Sequence, residues 1–330
     1  MTTIPTVTGE ISVDRLGTML MHEHVFIRTP ELQEAWPGFM DWAEERDLDL
    51  ARERLLALKR SGIDTIVDLT VPGLGRDVHR VARAVEGTGL QVIAATGYYT
   101  YTTLPWPLKY YGPGKMLRDD PDDEILVDLF TGDIEQGIQG TGIRAGVLKV
   151  CTDEPGVTPD VDRVLRAVAR THLRTDVPII THTHAGTRRG LDQQRVFTEE
   201  GVDLARVVIG HSNETTDLDY LTALMDAGSL IGWDRCGMDL VVDLRTQIDT
   251  LAELCRRGYA EKIVLSHDRH CRSDWFHEND VERVVPKWNH RYVQDELIPA
   301  MQERGVTDDQ VNQMLVVNPR TFFAARSGRG

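Results

Sequence analysis

The chain has 330 residues, 41% of them apolar, and 37 Lys and Arg against 52 Asp and Glu give a formal charge of −15. This composition permits a packed core and excludes wholesale disorder, and the negative balance argues against a protein that coats nucleic acid, whose affinity comes from basic patches on phosphates. Four scattered cysteines without C-x-x-C spacing suit reduced cytoplasmic thiols better than a disulfide or zinc framework. No apolar run approaches the ~18 residues that span a bilayer, and Met-Thr-Thr-Ile-Pro-Thr is not a signal-peptide start, so the expectation is a cytoplasmic protein with no membrane partner.

Short apolar and β-branched runs recur along the chain. They begin near Thr18 (TMLMHEHVFI), Asp64 (DTIVDLTV), Gln91 (QVIAATGYY), Ala145 (AGVLKVC), Val177 (VPIITHTH), Arg206 (RVVIGHSN), Ser229 (SLIGWDRC) and Lys262 (KIVLSHD). Between them lie stretches with apolar residues at helical spacing, such as Leu55 and Leu58, Val164, Leu165 and Val168, or Leu221, Leu224 and Met225. Several end in glycine-containing turns, including Gly62, Gly201 and Gly228, as helix C-termini prefer. Continuously apolar strands alternating with helices imply a parallel sheet with right-handed crossovers, and eight such units predict a (β/α)8 barrel. An open doubly wound sheet is the other architecture; it would place a Gly-rich phosphate loop after the first strand, where this chain has His-Glu-His. The reading is of one domain over 1–330, with the barrel at about 16–268, a long lid loop at about 269–290 and C-terminal helices at about 291–325.

Barrel active sites form at the C-terminal ends of the strands. There the chain places His22 and His24, on one face of a strand by their i, i+2 spacing, then Lys149, His182, His211 and Asp268. A single histidine at a strand end is more often a satisfied rim residue than a ligand. Lys149 is odder, since an unpaired ammonium among apolar neighbours is costly. Six such residues on five strands at one end of one barrel outweigh the single-residue odds and predict a metal site. Imidazole with carboxylate suits zinc, cobalt, iron or manganese. His184 forms a second His-x-His with His182, and spacing alone leaves either as the ligand.

This ordered set, with the stretches MLMHEHV, VDLTVPGLGRDV, ATGYYTYTTLP, VLKVCTDEPGVTPDV, GSLIGWDRCGMDL and VNPRTFF, resembles the phosphotriesterase-like lactonases of the amidohydrolase superfamily over essentially the whole chain. The resemblance implies two divalent metal ions bridged by a CO2-derived carbamate on Lys149. His22, His24 and Asp268 would hold the more buried ion and His182 and His211 the more exposed one, with His184 a pocket neighbour. It implies attack by a metal-bridging hydroxide, with Asp268 taking the proton, Tyr99 pointing at the hydroxide and Arg235 supporting lid and pocket. The implied activity is lactone opening, above all of N-acyl homoserine lactones and hence quorum quenching, with promiscuous phosphotriester hydrolysis. A dedicated phosphotriesterase is the alternative, and a metal-binding barrel without catalysis is a remoter one that Asp268 argues against. The implied assembly is a homodimer, for which Tyr98 to Tyr111 is the expected contact surface. The chain departs from the resemblance after Asp268, where Arg269 to His277 and Glu278, Asp280 and Glu282 make a more charged lid, though Trp275 and Phe276 remain suited to wall an acyl tail.

Overall fold

The computed structural model describes residues 2–117 and 124–325. A hairpin of β1 (Thr3–Thr6) and β2 (Gly9–Ser12) precedes the eight expected strands: β3 (Met19–Ile27), β4 (Thr65–Asp68), β5 (Gln91–Tyr98), β6 (Val147–Thr152), β7 (Ile179–Thr183), β8 (Val207–Ile209), β9 (Leu230–Trp233) and β10 (Ile263–Leu265). Strands β3 to β10 pair in chain order, every pairing parallel. The ring closes beyond β10, where Asp268 N–H donates to His22 O at 3.0 Å and His24 N–H to Arg269 O at 3.2 Å. This is the (β/α)8 barrel the apolar rhythm implies.

Helices cover the outside. Leu55 and Leu58 of Glu44–Arg60, Leu165 and Val168 of Pro159–Thr175 and Leu221 and Leu224 of Leu218–Asp226 are buried against the outward faces of the strands. Local signals set their limits. Thr158 caps Val161 N ahead of Pro159 at the first helical position, and Asp217 caps Tyr220 N. Gly62 and Gly201 close their helices at φ of 91° and 87°, conformations a side chain would strain. No helix among the described residues is long and apolar enough to cross a membrane.

Side-chain alternation sends every second strand residue inward. Met19, Met21, Val67, Ile93, Ile180 and Val264 fill the lower barrel, sealed beneath by Ile4 and Leu16 of the N-terminal segment and by Phe322 and Phe323 of Asn318–Ala324. In β3 the register with β4 slips, Leu20 facing Ile66 but Glu23 facing Asp68. The extra residue turns His22 and His24 to the inner face that Met19 and Met21 occupy below, the re-aiming a β-bulge provides.

The segment after Asp268 carries more structure than an extended loop. Its first residues form β11 (His270–Ser273), which adds to β3 in parallel, and Glu278–Val284 is helical. Several of its charges are paired within the protein. Arg269 donates to Glu278 at 3.0 Å and to Trp288 O at 3.1 Å, Arg272 lies 3.2 Å from Asp47, and Asp274 accepts from Thr29 N–H and Gln33 Nε2. Much of the polar composition after Asp268 is therefore turned to protein partners, while Trp275 and Phe276 border the cavity. The four cysteines are free and buried.

Candidate metal centre

His22, His24, Lys149, His182, His211 and Asp268 converge at the upper end of the barrel, and all but Asp268 are almost fully buried. Lys149 comes from the middle of β6 and His182 from β7. β5 runs close enough to Lys149 that a Cβ on Gly97 would meet Lys149 O at 1.9 Å, so glycine is required there. His211 and Asp268 follow their strands in left-handed backbone conformation, at φ of 57° and 52°. Such strain in non-glycine residues persists where the surroundings fix it, commonly at functional sites.

The hydrogen-bond partners assign the ring tautomers. His22 Nδ1–H donates to Asp234 Oδ2 at 2.7 Å and His211 Nδ1–H to Asp234 Oδ1 at 2.9 Å. His182 Nε2–H donates to Asp153 Oδ2 at 2.5 Å. Thr70 gives its one proton to Asp68 at 2.6 Å, so it accepts from His24 Nδ1–H at 2.8 Å. Each imidazole thus keeps one lone-pair nitrogen, and these four face inward.

There the acceptors crowd one another. His24 Nε2 and His22 Nε2 lie 3.1 and 3.3 Å from Asp268 Oδ1, and His211 Nε2 lies 2.8 Å from His182 Nδ1. Lys149 Nζ, 3.0 Å from His22 Nε2, is the buried cation among them. Lone pairs at hydrogen-bond distance without a proton between them repel, and a shared cation removes the conflict. The donor set therefore suits a metal ion, and His22, His24 and Asp268 lie close enough together to hold one. His22, His211 and Asp234 also lie close enough to hold an ion. But Asp234 already receives both imidazole N–H groups and His211 N–H at 2.7 Å, so it serves as the carboxylate that orients the rings.

Electrostatics agree with ligand chemistry, which needs neutral imidazoles. Burial lowers the His22 and His211 pKa values and pushes His182 down to about 4. Burial also pushes Lys149 down to about 8 against the pull of Asp268 and Asp234. Burial alone would raise Asp268, but His22, His211, His24 and Arg235 hold it well below the carboxylate range.

Around this cluster, Arg235 Nε donates to Asp268 Oδ2 at 2.9 Å and Nη1 to Glu214 at 2.8 Å. The Tyr99 hydroxyl lies 3.0 Å from that of Tyr101 and 3.4 Å from His182 Nδ1. His184 stands apart, its Nδ1 at 2.8 Å from Thr187 Oγ1, and forms part of the cavity wall. The cavity, about 620 Å³, has the ionisable cluster as its floor, with Leu240 and Val241 from the segment after β9 and Trp275, Phe276, Val284 and Trp288 from the segment after Asp268 in its walls. Asp234 and Asp153 were not singled out by the sequence. Asp234 adjoins Arg235 at a strand end, the place where such a partner is to be sought; nothing in the sequence distinguishes Asp153.

A parallel barrel with convergent histidines and a carboxylate at its C-terminal mouth is the frame of a barrel enzyme suited to hold metal ions. The chain belongs to the phosphotriesterase family, whose model matches residues 2–323, and it is a hydrolase of that family. A Mycobacterium tuberculosis protein named phosphotriesterase homology protein is 51% identical over 324 residues, 98% of each chain. The solved phosphotriesterase from Mycobacterium tuberculosis has a TM-score of 0.95 at 50% identity, covering 98% of both chains. An aryldialkylphosphatase of Saccharolobus solfataricus is 37% identical over 311 residues, 94% of this chain and 95% of that protein.

Proposed function

We propose that this protein opens lactones, N-acyl homoserine lactones above all, and hydrolyses phosphotriesters as a second activity of the same site. The observation that carries this reading is the cavity itself, a floor of convergent acceptors beneath apolar walls. Such a site suits an ester group held at the floor with a hydrocarbon tail along Leu240, Trp275 and Phe276.

His22, His24 and Asp268 would hold one ion and His182 and His211 the other, with a carbamate on Lys149 bridging them. The neutral amine, the form that adds CO2, is accessible to a Lys149 whose pKa is about 8. Zinc, cobalt, iron or manganese ions held there would render a water nucleophilic near neutral pH and polarise the substrate's carbonyl or phosphoryl oxygen. Asp268, held by Arg235 through Oδ2, takes the proton of the attacking water and delivers it to the leaving alkoxide. Tyr99 and Tyr101 place hydroxyls at the edge of the floor, where they orient the ester. The buried reduced thiols suit a cytoplasmic setting. The exposed Trp106, Tyr110 and Tyr111 suit the contact of a homodimer, which sedimentation would test.

The names phosphotriesterase and aryldialkylphosphatase among the relatives favour a second reading, a dedicated phosphotriesterase. The ratio of kcat/KM for N-acyl homoserine lactones to that for dialkyl aryl phosphates decides between them. A ratio well above one supports the lactonase; failure of the metal-loaded protein to open any lactone removes it.

A further inference from the structure

One buried donor, on a residue that borders the cavity, has no use in the scheme above. His270 pairs in register with His24 on the adjacent parallel strand, so both side chains project to the same face, and the His270 ring contributes to the cavity wall. It is 3% exposed. Its Nδ1 lies 2.8 Å from Arg269 Nη1, and because a guanidinium only donates, Nδ1 is the acceptor. The ring proton of the neutral imidazole therefore sits on Nε2.

Nε2 is buried and meets no hydrogen-bond partner among the described residues. The ring cannot turn to find one. Arg269 is itself fixed by Glu278 and by Trp288 O, with its guanidinium 4.7 Å from the Trp288 ring centre. Trp288 packs edge-on against His270 at 5.2 Å, and Phe276 stacks on it at 6.1 Å. A buried N–H without an acceptor loses its hydration with nothing in return, and native proteins seldom retain one without a partner from solvent or ligand. Phe276 is 46% exposed, so a group reaching this ring displaces a partly free side chain and not a packed one.

We propose that His270 Nε2–H forms a subsite for a second hydrogen-bond acceptor on the substrate, apart from the scissile carbonyl. In the acyl homoserine lactones that acceptor is the side-chain amide carbonyl. The inference rests on the lactone reading and adds that the protein distinguishes amide-bearing lactones from alkyl lactones of equal length. An N–H set in an aromatic wall gives this kind of selection, because a substrate lacking the acceptor leaves the donor unpaired.

The test compares an N-acyl homoserine lactone with a γ-alkyl lactone of matched length in the wild type, His270→Phe and His270→Gln, metal content being checked for each. The kcat/KM ratio of the two lactones should fall about three- to tenfold in His270→Phe, through KM, the range one neutral hydrogen bond gives. His270→Gln, which keeps a donor, should recover part of it. Equal losses on both lactones assign His270 to packing and overturn the subsite, as does an unmoved ratio. Calorimetric titration with the corresponding non-hydrolysable lactams separates this inference from the activity. If the wild type opens neither lactone yet binds the amide-bearing lactam more tightly, the lactone reading falls and the subsite stands. A wild type that binds both lactams equally, or neither, overturns the subsite even where His270→Phe fails to fold.

Discussion

The floor and the mouth of the barrel are built from the same strands with the same two-residue alternation, and they have opposite chemistry. Below, Met19, Met21, Val67, Ile93, Ile180 and Val264 form a dry apolar plug. One to three residues higher stand His22, His24, Lys149 and His182, with His211 and Asp268 beyond the ends of their strands. What separates the levels is a set of local departures from ideal strand geometry: the register slip between Leu20 and Glu23 and the positive φ of His211 and Asp268. Stability therefore resides chiefly in the plug and the helix-facing layer, and chemistry in residues whose convergence costs stability. Lone pairs forced together and a lysine held away from water are tolerated because the plug beneath does not depend on them.

That division predicts that substitutions at the two levels move different observables. The largest effect is expected at the mouth. Asp268→Asn should lower kcat by about 10²–10⁴-fold, the range of a lost proton-transfer group, while retaining most of the metal. Lys149→Ala should lose the bridged metal pair together with activity, with partial return on adding a short carboxylate and metal. Neither should lower the melting temperature by more than a plug substitution does. Full activity in Asp268→Asn, or an intact metal pair in Lys149→Ala, contradicts the roles given to these residues.

Next in size is the plug. Ile180→Ala removes a fully buried side chain two positions before His182 and should cost about 2–5 kcal/mol in a denaturant titration. Turnover per folded molecule should stay close to wild type, and a loss of turnover at unchanged stability would join the two levels. Asp234→Asn lies between them. It replaces a carboxylate that accepts from His22, His211 and the His211 backbone, and should cost about 10–100-fold in metal affinity or activity, read by competition with a chelator. A smaller cost would show that the rings hold their places unaided.

The same contrast explains what could be read from the chain and what could not. The eight strands announce themselves as continuous apolar runs because both faces are buried, and the strand ends announce the histidines, Lys149 and Asp268 because ionisable groups there break the run. Asp234 is one of 52 acidic residues, and its function depends on two imidazoles brought to it by other strands. The slip in β3 leaves no mark in Leu-Met-His-Glu-His, since either parity would place two histidines on one face. His182 and His184 are equivalent in sequence, and what divides them is a partner, Asp153 for the first and Thr187 for the second. The strand β11 is hidden by its composition. His-Cys-Arg-Ser reads as exposed loop, whereas in the fold Arg272 is paired with Asp47 and Cys271 packs into the outer core.

The charges after Asp268 give the smallest expected effect, and they test whether composition or facing governs the pocket. Asp280 borders the cavity but is turned to Arg283, its partner at 2.8 Å on the exposed side of the helix Glu278–Val284. Such an exposed pair is screened by water and adds little. Asp280→Asn should therefore leave both the melting temperature and the dependence of kcat/KM on acyl length close to wild type. Trp275→Ala, in the apolar wall, should flatten that dependence, because each methylene buried on the wall contributes about 0.8 kcal/mol. If Asp280→Asn steepens the preference for long chains, the acidic side chain faces the substrate, and the separation between a charged back and an apolar front does not hold.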